Sequence, residues 1–228
     1  LVIALVLIAG VFALAYLPQL WVQRVIEAHS DERSDFPGTG GEFARHLLDG
    51  MNLTHVKVEP TNHGDHYDPA TKTVRLVAQR LNGRSLSAVV IAAHEVGHAM
   101  QDATGYAPLA ARTRMARQAQ AVERIGSIVM LAAPVVMILT KAPFLLLMQM
   151  VAGVLILGST ILMHAVTLPV EFDASFSRAL PLLKAGRYVR EEDLGSARKI
   201  LRAAAFTYVA AAAMSVLDVM RWFRVLRF

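Results

Sequence analysis

His94-Glu95-Val96-Gly97-His98 leaves few choices for the chain around it. Two histidines with this spacing share one face of a helix, one turn above each other. Their imidazoles can grip one metal ion, and Glu95 between them can take a proton from a water on that metal. This is the His-Glu-x-x-His zinc signature, and it points to a metal-dependent hydrolase with one zinc ion per chain. The preceding run from Leu86 to Ala93 is apolar and suits a helix, and Val96 and Ala99 continue a buried face. A core helix with two satisfied histidines is the plainer alternative. It leaves the carboxylate of Glu95 in an apolar helix without a partner, which is costly. The chain has no cysteine, so its metal must be held by histidine and carboxylate.

Hydrophobic residues make up 55% of the chain, and they are concentrated in runs. Leu1 to Val22, Ile125 to Thr140, Phe144 to Leu168 and Ala203 to Met220 are the four apolar stretches. At about 1.5 Å per residue, a run of some 20 residues crosses a roughly 30 Å hydrocarbon layer. The expected fold is therefore mostly α: an integral-membrane helical protein with about four transmembrane helices and a small α+β zincin-like part facing the cytoplasm. Tyr16 and Trp21 suit an interface, and an uncleaved anchor fits the first run better than a signal peptide. The net charge of +5 does not imply nucleic acid, because no basic stripe with interleaved aromatics accompanies it. Lysine and arginine crowd Arg24 to Arg124 and Arg178 to Arg202, whereas the loop between the middle runs holds only Lys141. By the positive-inside rule the metal helix faces the cytoplasm. Arg221, Arg224 and Arg227 conflict with that orientation if the last run crosses fully.

The expected organisation is an anchor over 1–22, a protease core over 23–124, a transmembrane hairpin over 125–168, a third-ligand segment over 169–202 and an apolar helix with a basic tail over 203–228. Within the core, Glu27 to Gly41 reads as a linker and Thr39 to Asp49 as an amphipathic helix stopped by Gly50. Val56 and Val58 mark a short strand, Asn62 to Pro69 a turn cluster, and Thr73 to Val77 a second strand. Ser85 or Ser87 caps the metal helix. An edge strand beside the metal suits an extended peptide. Leu109 to Arg124 reads as a separate cationic helix, and Leu180 to Lys199 as a polar helical excursion.

A catalytic zinc takes three protein ligands and keeps one position for water. Glu171 is the best third ligand, because it follows a hairpin that returns the chain to its starting side. Asp173 is the second choice. The alternative for Glu171 is a glutamate paired with Arg178. The oxyanion needs a donor, and His66, Tyr67, Arg178 and Tyr208 remain open as substrate or transition-state contacts. Asp102 either orients a ligand or is solvated. His63 and His66 suit a stabilised turn better than a second metal. His164 either lines a path to the site or bonds a neighbouring helix, and His29, His46 and His55 belong to the surface.

Further motifs accompany the signature: Asp65-His66-Tyr67-Asp68-Pro69, Thr71 to Leu76, Gly105-Tyr106-Ala107-Pro108-Leu109, Thr167 to Ser175 and Ala203 to Ala210. With these, nearly the whole chain resembles the YugP-like family of neutral zinc metallopeptidases, small integral-membrane proteins. The resemblance implies a zinc protease of the His-His-Glu (gluzincin) type, in which His94, His98 and Glu171 bind zinc and Glu95 is the base. Related membrane proteases often carry Asp four residues after the third ligand; here Ser175 stands there. The expected function is a membrane-embedded zinc endopeptidase cutting membrane-associated proteins or peptides. The alternative is a non-catalytic membrane adaptor with a structural zinc. The expected partners are a peptide or membrane-protein substrate and membrane lipid, with a regulatory membrane protein or a second copy left open.

Overall fold

The computed structural model describes residues 2–140 and 144–207. The elements run α1 (Val2–Glu27), α2 (Gly40–Gly50), β1 (Lys57–Thr61), β2 (His66–Asp68), β3 (Thr73–Val77), α3 (Ala78–Asn82), α4 (Leu86–Ala103), α5 (Ala107–Thr140) and α6 (Phe144–Phe172). A π-helical segment (Asp173–Ala179), α7 (Leu180–Ala185) and a 3-10 turn (Glu191–Asp193) follow. A last helix, α8, covers 194–207. The architecture is mostly helical with one small sheet.

α4 is the central element. Ser85 caps its first turn by accepting the Ala88 N–H, and most of its residues are buried. α2 packs on it and is itself closed by a capping box, in which Thr39 and Glu42 satisfy each other's backbone N–H groups. Leu47 and Leu48 of α2, Val74 and Leu76 of β3, and Ile200 and Leu201 of α8 fill the core against Val90 and Val96. The sheet has the order β1-β3-β2, with β1 parallel and β2 antiparallel to β3. The turn expected at Asn62 to Pro69 thus contains an edge strand, with Tyr67 opposite Val74.

Two helical expectations change. The cationic stretch from Leu109 and the apolar run to Thr140 form one continuous helix of 34 residues rather than two. The expected four transmembrane helices are not found: no helix among the described residues is long and apolar enough to cross a membrane. The integral-membrane, cytoplasm-facing placement is corrected with them. The physical reason lies in where the apolar residues are used and what interrupts them. Val22 is buried, and Val25 and Ile26 of α1 pack on the protein core; the same helix carries Pro18 and ends in Arg24 and Glu27. In α6, Gln149, Thr167 and Glu171 are buried among the apolar residues. Ala203 and Ala205, at the start of the fourth run, are fully buried in protein contacts. The remainder of that run, with Tyr208 and the terminal arginines, lies outside the described residues, as does the break at Lys141 to Pro143. α5 and α6 form an antiparallel hairpin, and Ile128, Leu131 and Leu139 of α5 and Leu147, Val154 and Leu155 of α6 are exposed on it.

Candidate metal centre

α4 places His94, Glu95 and His98 in the protein interior, at 3%, 5% and 5% exposure. α6 brings in Glu171, at 1% exposure. Its Oε2 lies 3.2 Å from Nε2 of His94 and 3.2 Å from Nε2 of His98, although 73 residues separate it from the latter. The helix does not stop there. It widens into the π-helical segment, where the Leu180 N–H donates to the Ser175 carbonyl five residues back. Wide turns of this kind recur at functional sites. The widened segment lies directly on α4 at Gly97. A Cβ at Gly97 would stand 2.7 Å from the Ala174 carbonyl oxygen, so only glycine admits this approach.

Each histidine is oriented through its Nδ1. For His94 the partner is the Ser175 hydroxyl at 3.0 Å, which itself donates to the Leu201 carbonyl. Ser175 therefore accepts the Nδ1 proton. For His98 the partner is Gln101 Oε1 at 2.9 Å. The Gln101 amide nitrogen is committed to the Val170 carbonyl at 2.8 Å and to Asp173 at 2.7 Å, so its oxygen must accept from His98. Arg178 donates to Asp173 at 2.8 Å and completes the chain. Both Nδ1 atoms are thereby protonated, and both Nε2 lone pairs face the Glu171 carboxylate.

Three acceptors facing one another repel unless a cation lies between them. His94, His98 and Glu171 form the sole such cluster among the described residues, with donor atoms within 4.8 Å of one another. Glu171 Oε1 is buried without a hydrogen bond, with the Arg112 guanidinium 3.3 Å away. This donor set is positioned to bind a metal, and the two imidazoles and one carboxylate suit zinc. Burial opposes ionisation of Glu171, and with both Nε2 lone pairs turned toward it the charge that favours its carboxylate is that of a metal between the three ligands or of the Arg112 guanidinium. Glu95 behaves oppositely. Its burial pushes the carboxyl up to about 7, with Asp65 and Glu171 adding repulsion.

A cleft of about 380 Å³ opens onto the centre. Asp65, His66, Tyr67, Arg80 and Arg112 line it together with Glu95 and the three clustered residues. His66 donates its Nδ1 proton to the Gly64 carbonyl at 2.9 Å. The Tyr67 hydroxyl is already spent, donating to Asp102 at 2.6 Å; burial and this bond push its pKa up. Asp102 also takes Lys72 at 2.5 Å, so it braces the sheet against α4 and touches neither histidine. Arg178 is drawn away to Asp173 and lies over the Tyr106 ring, 5.5 Å from its centroid. His63 is exposed and joins no metal cluster. His29 is half-buried, held by the Val25 carbonyl at 2.7 Å.

Gln101 and Arg112 were not singled out from the sequence. Gln101 lies one turn past His98, a position from which its amide reaches back to the imidazole, and that spacing was the available signal. Arg112 had none, because nothing local distinguishes it from Arg114 and Arg117.

Residues 4–227 match a family described as "Putative neutral zinc metallopeptidase". The chain belongs to this family. It is 35% identical over 213 residues, 92% of this chain and 90% of the relative, to a Bacillus subtilis (strain 168) protein named "Putative membrane protease YugP". No solved structure matches. Membership in the zinc metallopeptidase family implies zinc, and the converging lone pairs of His94, His98 and Glu171 give it a place in this chain.

Proposed function

We propose that the protein is a zinc-dependent endopeptidase in which His94, His98 and Glu171 hold one zinc ion and Glu95 is the general base. The observation that carries this reading is a pair of neighbouring carboxylates in different surroundings: Glu171 faces two Nε2 lone pairs as the third member of a metal-ligand cluster, whereas burial pushes the carboxyl of Glu95 up to about 7 at the edge of the same cleft. A proton carrier needs a pKa close to the working pH. A structural metal site needs no such group, which disfavours the adaptor reading.

Zinc, when bound, supplies a Lewis acid that polarises the scissile carbonyl and acidifies water. The residues of the chain do the rest. Glu95 accepts the proton of the attacking water and returns it to the leaving amine. β2 offers its free edge to an extended peptide, since among the described residues it pairs with β3 alone. Among the described residues, His66 at the start of β2 and Arg112 on α5, the latter beside Glu171, line the cleft and are the candidate donors to a developing oxyanion. Tyr67 is less suited because its hydroxyl donates to Asp102, and Arg178 because it donates to Asp173 and is not among the residues lining the cleft.

Glu95→Gln tests the proposal. Metal content should stay at about one zinc per chain, while kcat/KM on a casein-derived peptide should fall by about 10²–10⁴-fold. In the parent enzyme the rate should climb with pH, because only ionised Glu95 accepts a proton, with its midpoint at about 7 and a plateau above it. A variant that keeps its activity, or a parent rate that falls between pH 5 and 7, would remove Glu95 from its role.

A further inference from the structure

A second cavity, about 640 Å³, is lined in part by α2 and is larger than the cleft of about 380 Å³ at the metal centre. Its walls come from the loop before α2, from α2, from Val89 of α4 and from the loop after α7. The apolar part is aromatic. Phe36 is buried, and the rings of Phe43 and Tyr188 meet edge to face with centroids 4.9 Å apart. His46 closes one side, its Nε2 3.0 Å from the Tyr188 hydroxyl. A cavity of this size, apolar with a few polar groups at its rim, is the usual form of a small-ligand site.

The charges at the rim are unequally committed. Glu42 is occupied by the capping box of α2. Asp35 is held by Arg33 in a two-pronged pair at 2.9 and 2.6 Å. Arg190 is shared among Asp35, Glu192 and Asp193. Arg187 is the one charged lining residue with neither an ion pair nor a side-chain hydrogen bond among the described residues. Its backbone is also unusual. It has φ +51, in the left-handed region that favours glycine, directly after the end of α7. The neighbouring Gly186 is required for a different reason, since a Cβ there would stand 2.1 Å from the Tyr188 ring. The loop thus holds Tyr188 against the helix end with a glycine and, at the next position, carries an arginine in a conformation glycine would adopt more easily. Asn52 and Lys72 share this left-handed backbone, so what distinguishes Arg187 is its place: an exposed guanidinium at the rim of an aromatic-lined cavity.

We infer that this cavity binds a carboxylate with an aromatic or branched apolar body, the carboxylate on Arg187 and the body against Phe36, Phe43 and Tyr188. A single available cation suits a monoanion better than a phosphate. Such a ligand is either a free small acid or the C-terminal residue of a peptide. This assignment does not depend on the chemistry at the metal centre.

The test is calorimetric titration of the full-length protein with 3-phenylpropanoate, N-acetylphenylalanine and N-acetylphenylalaninamide. Both acids should bind, and the amide should bind at least about 10-fold more weakly. N-acetylphenylalanine binding more tightly than 3-phenylpropanoate supports a peptide end, and the reverse order supports a free acid. Arg187→Gly should weaken both acids by a similar factor while the melting temperature holds or rises, because glycine relieves the backbone. That pairing separates lost recognition from lost folding. Equal binding of acid and amide, unchanged binding in Arg187→Gly, or no binding of either acid at 10 mM overturns the assignment.

Discussion

On α4, two imidazoles stand on adjacent turns of one helix, and nearly every residue around them is buried. At the end of α6, one carboxylate is delivered by a helix that changes its winding directly after Glu171. The two regions hold the same centre by different means. α4 fixes spacing through helix geometry alone. The α6 side fixes distance through packing: Gly97 against Ala174, Gln101 against Val170 and Asp173, and Ser175 against His94. A wrong residue on α4 removes a ligand, whereas a wrong residue between the helices misplaces one.

The sharpest way to break this comparison is to remove one ligand from each side. His98→Ala and Glu171→Ala should each drop the zinc content of purified protein from about one per chain to below about a tenth, as three-ligand sites do not hold with two. Zinc retained in Glu171→Ala alone would mean that α4 suffices and the α6 side is scaffolding. The next largest effect is expected from Gly97→Ala. The added methyl meets a backbone carbonyl that cannot rotate away, so the helices must separate by a few tenths of an ångström. Overpacking of this kind costs about 1–3 kcal/mol. Both the melting temperature and zinc affinity should fall, with His94 and His98 untouched in sequence. A loss of stability with zinc affinity preserved would show that the approach at Gly97 serves the core and not the centre.

How much of this was visible beforehand follows the same division. The α4 half is local: five residues fix the helix, and the cap at Ser85 and the apolar face follow from their neighbours. The capping box at Thr39 and Glu42 and the strand at Thr73 to Val77 are local too. Glu171 was reachable only through an assumed hairpin, and the hairpin is present, formed by α5 and α6. The membrane reading attached to it does not hold. A run of apolar letters does not distinguish a helix facing lipid from one whose end is spent on protein, as Val22, Ala203 and Ala205 are. β2 was hidden for a related reason. A three-residue strand among Asn, Gly and Pro looks like a turn until β3 is there to pair with it. Arg112 is the extreme case, since only the packing of α5 selects one arginine from several.

The smallest expected effects separate the two imidazole supports. Gln101→Leu keeps the volume but leaves the Nδ1 proton of His98, the Val170 carbonyl and one bond of Asp173 without their partner. Ser175→Ala frees the Nδ1 proton of His94 and the Leu201 carbonyl. Groups that orient metal-bound histidines are worth about 10–100-fold in metal affinity, and each unsatisfied buried group costs about 1–3 kcal/mol in stability. Gln101→Leu strands more groups, so it should lie at the upper end of both ranges and Ser175→Ala at the lower. Competition against a fluorescent zinc chelator measures affinity, and thermal melts of the zinc-free protein measure stability. If Ser175→Ala proves the more damaging, the π-helical segment is held chiefly through α8, by way of Leu201, rather than through Gln101. If neither changes zinc affinity, the imidazoles are held by burial alone and their Nδ1 partners serve only the core. The double variant then decides whether the supports act together. Losses that multiply mean two independent hinges, whereas a double loss no greater than that of Gln101→Leu means that one rigid packing of α4 on the π-helical segment sets both rings.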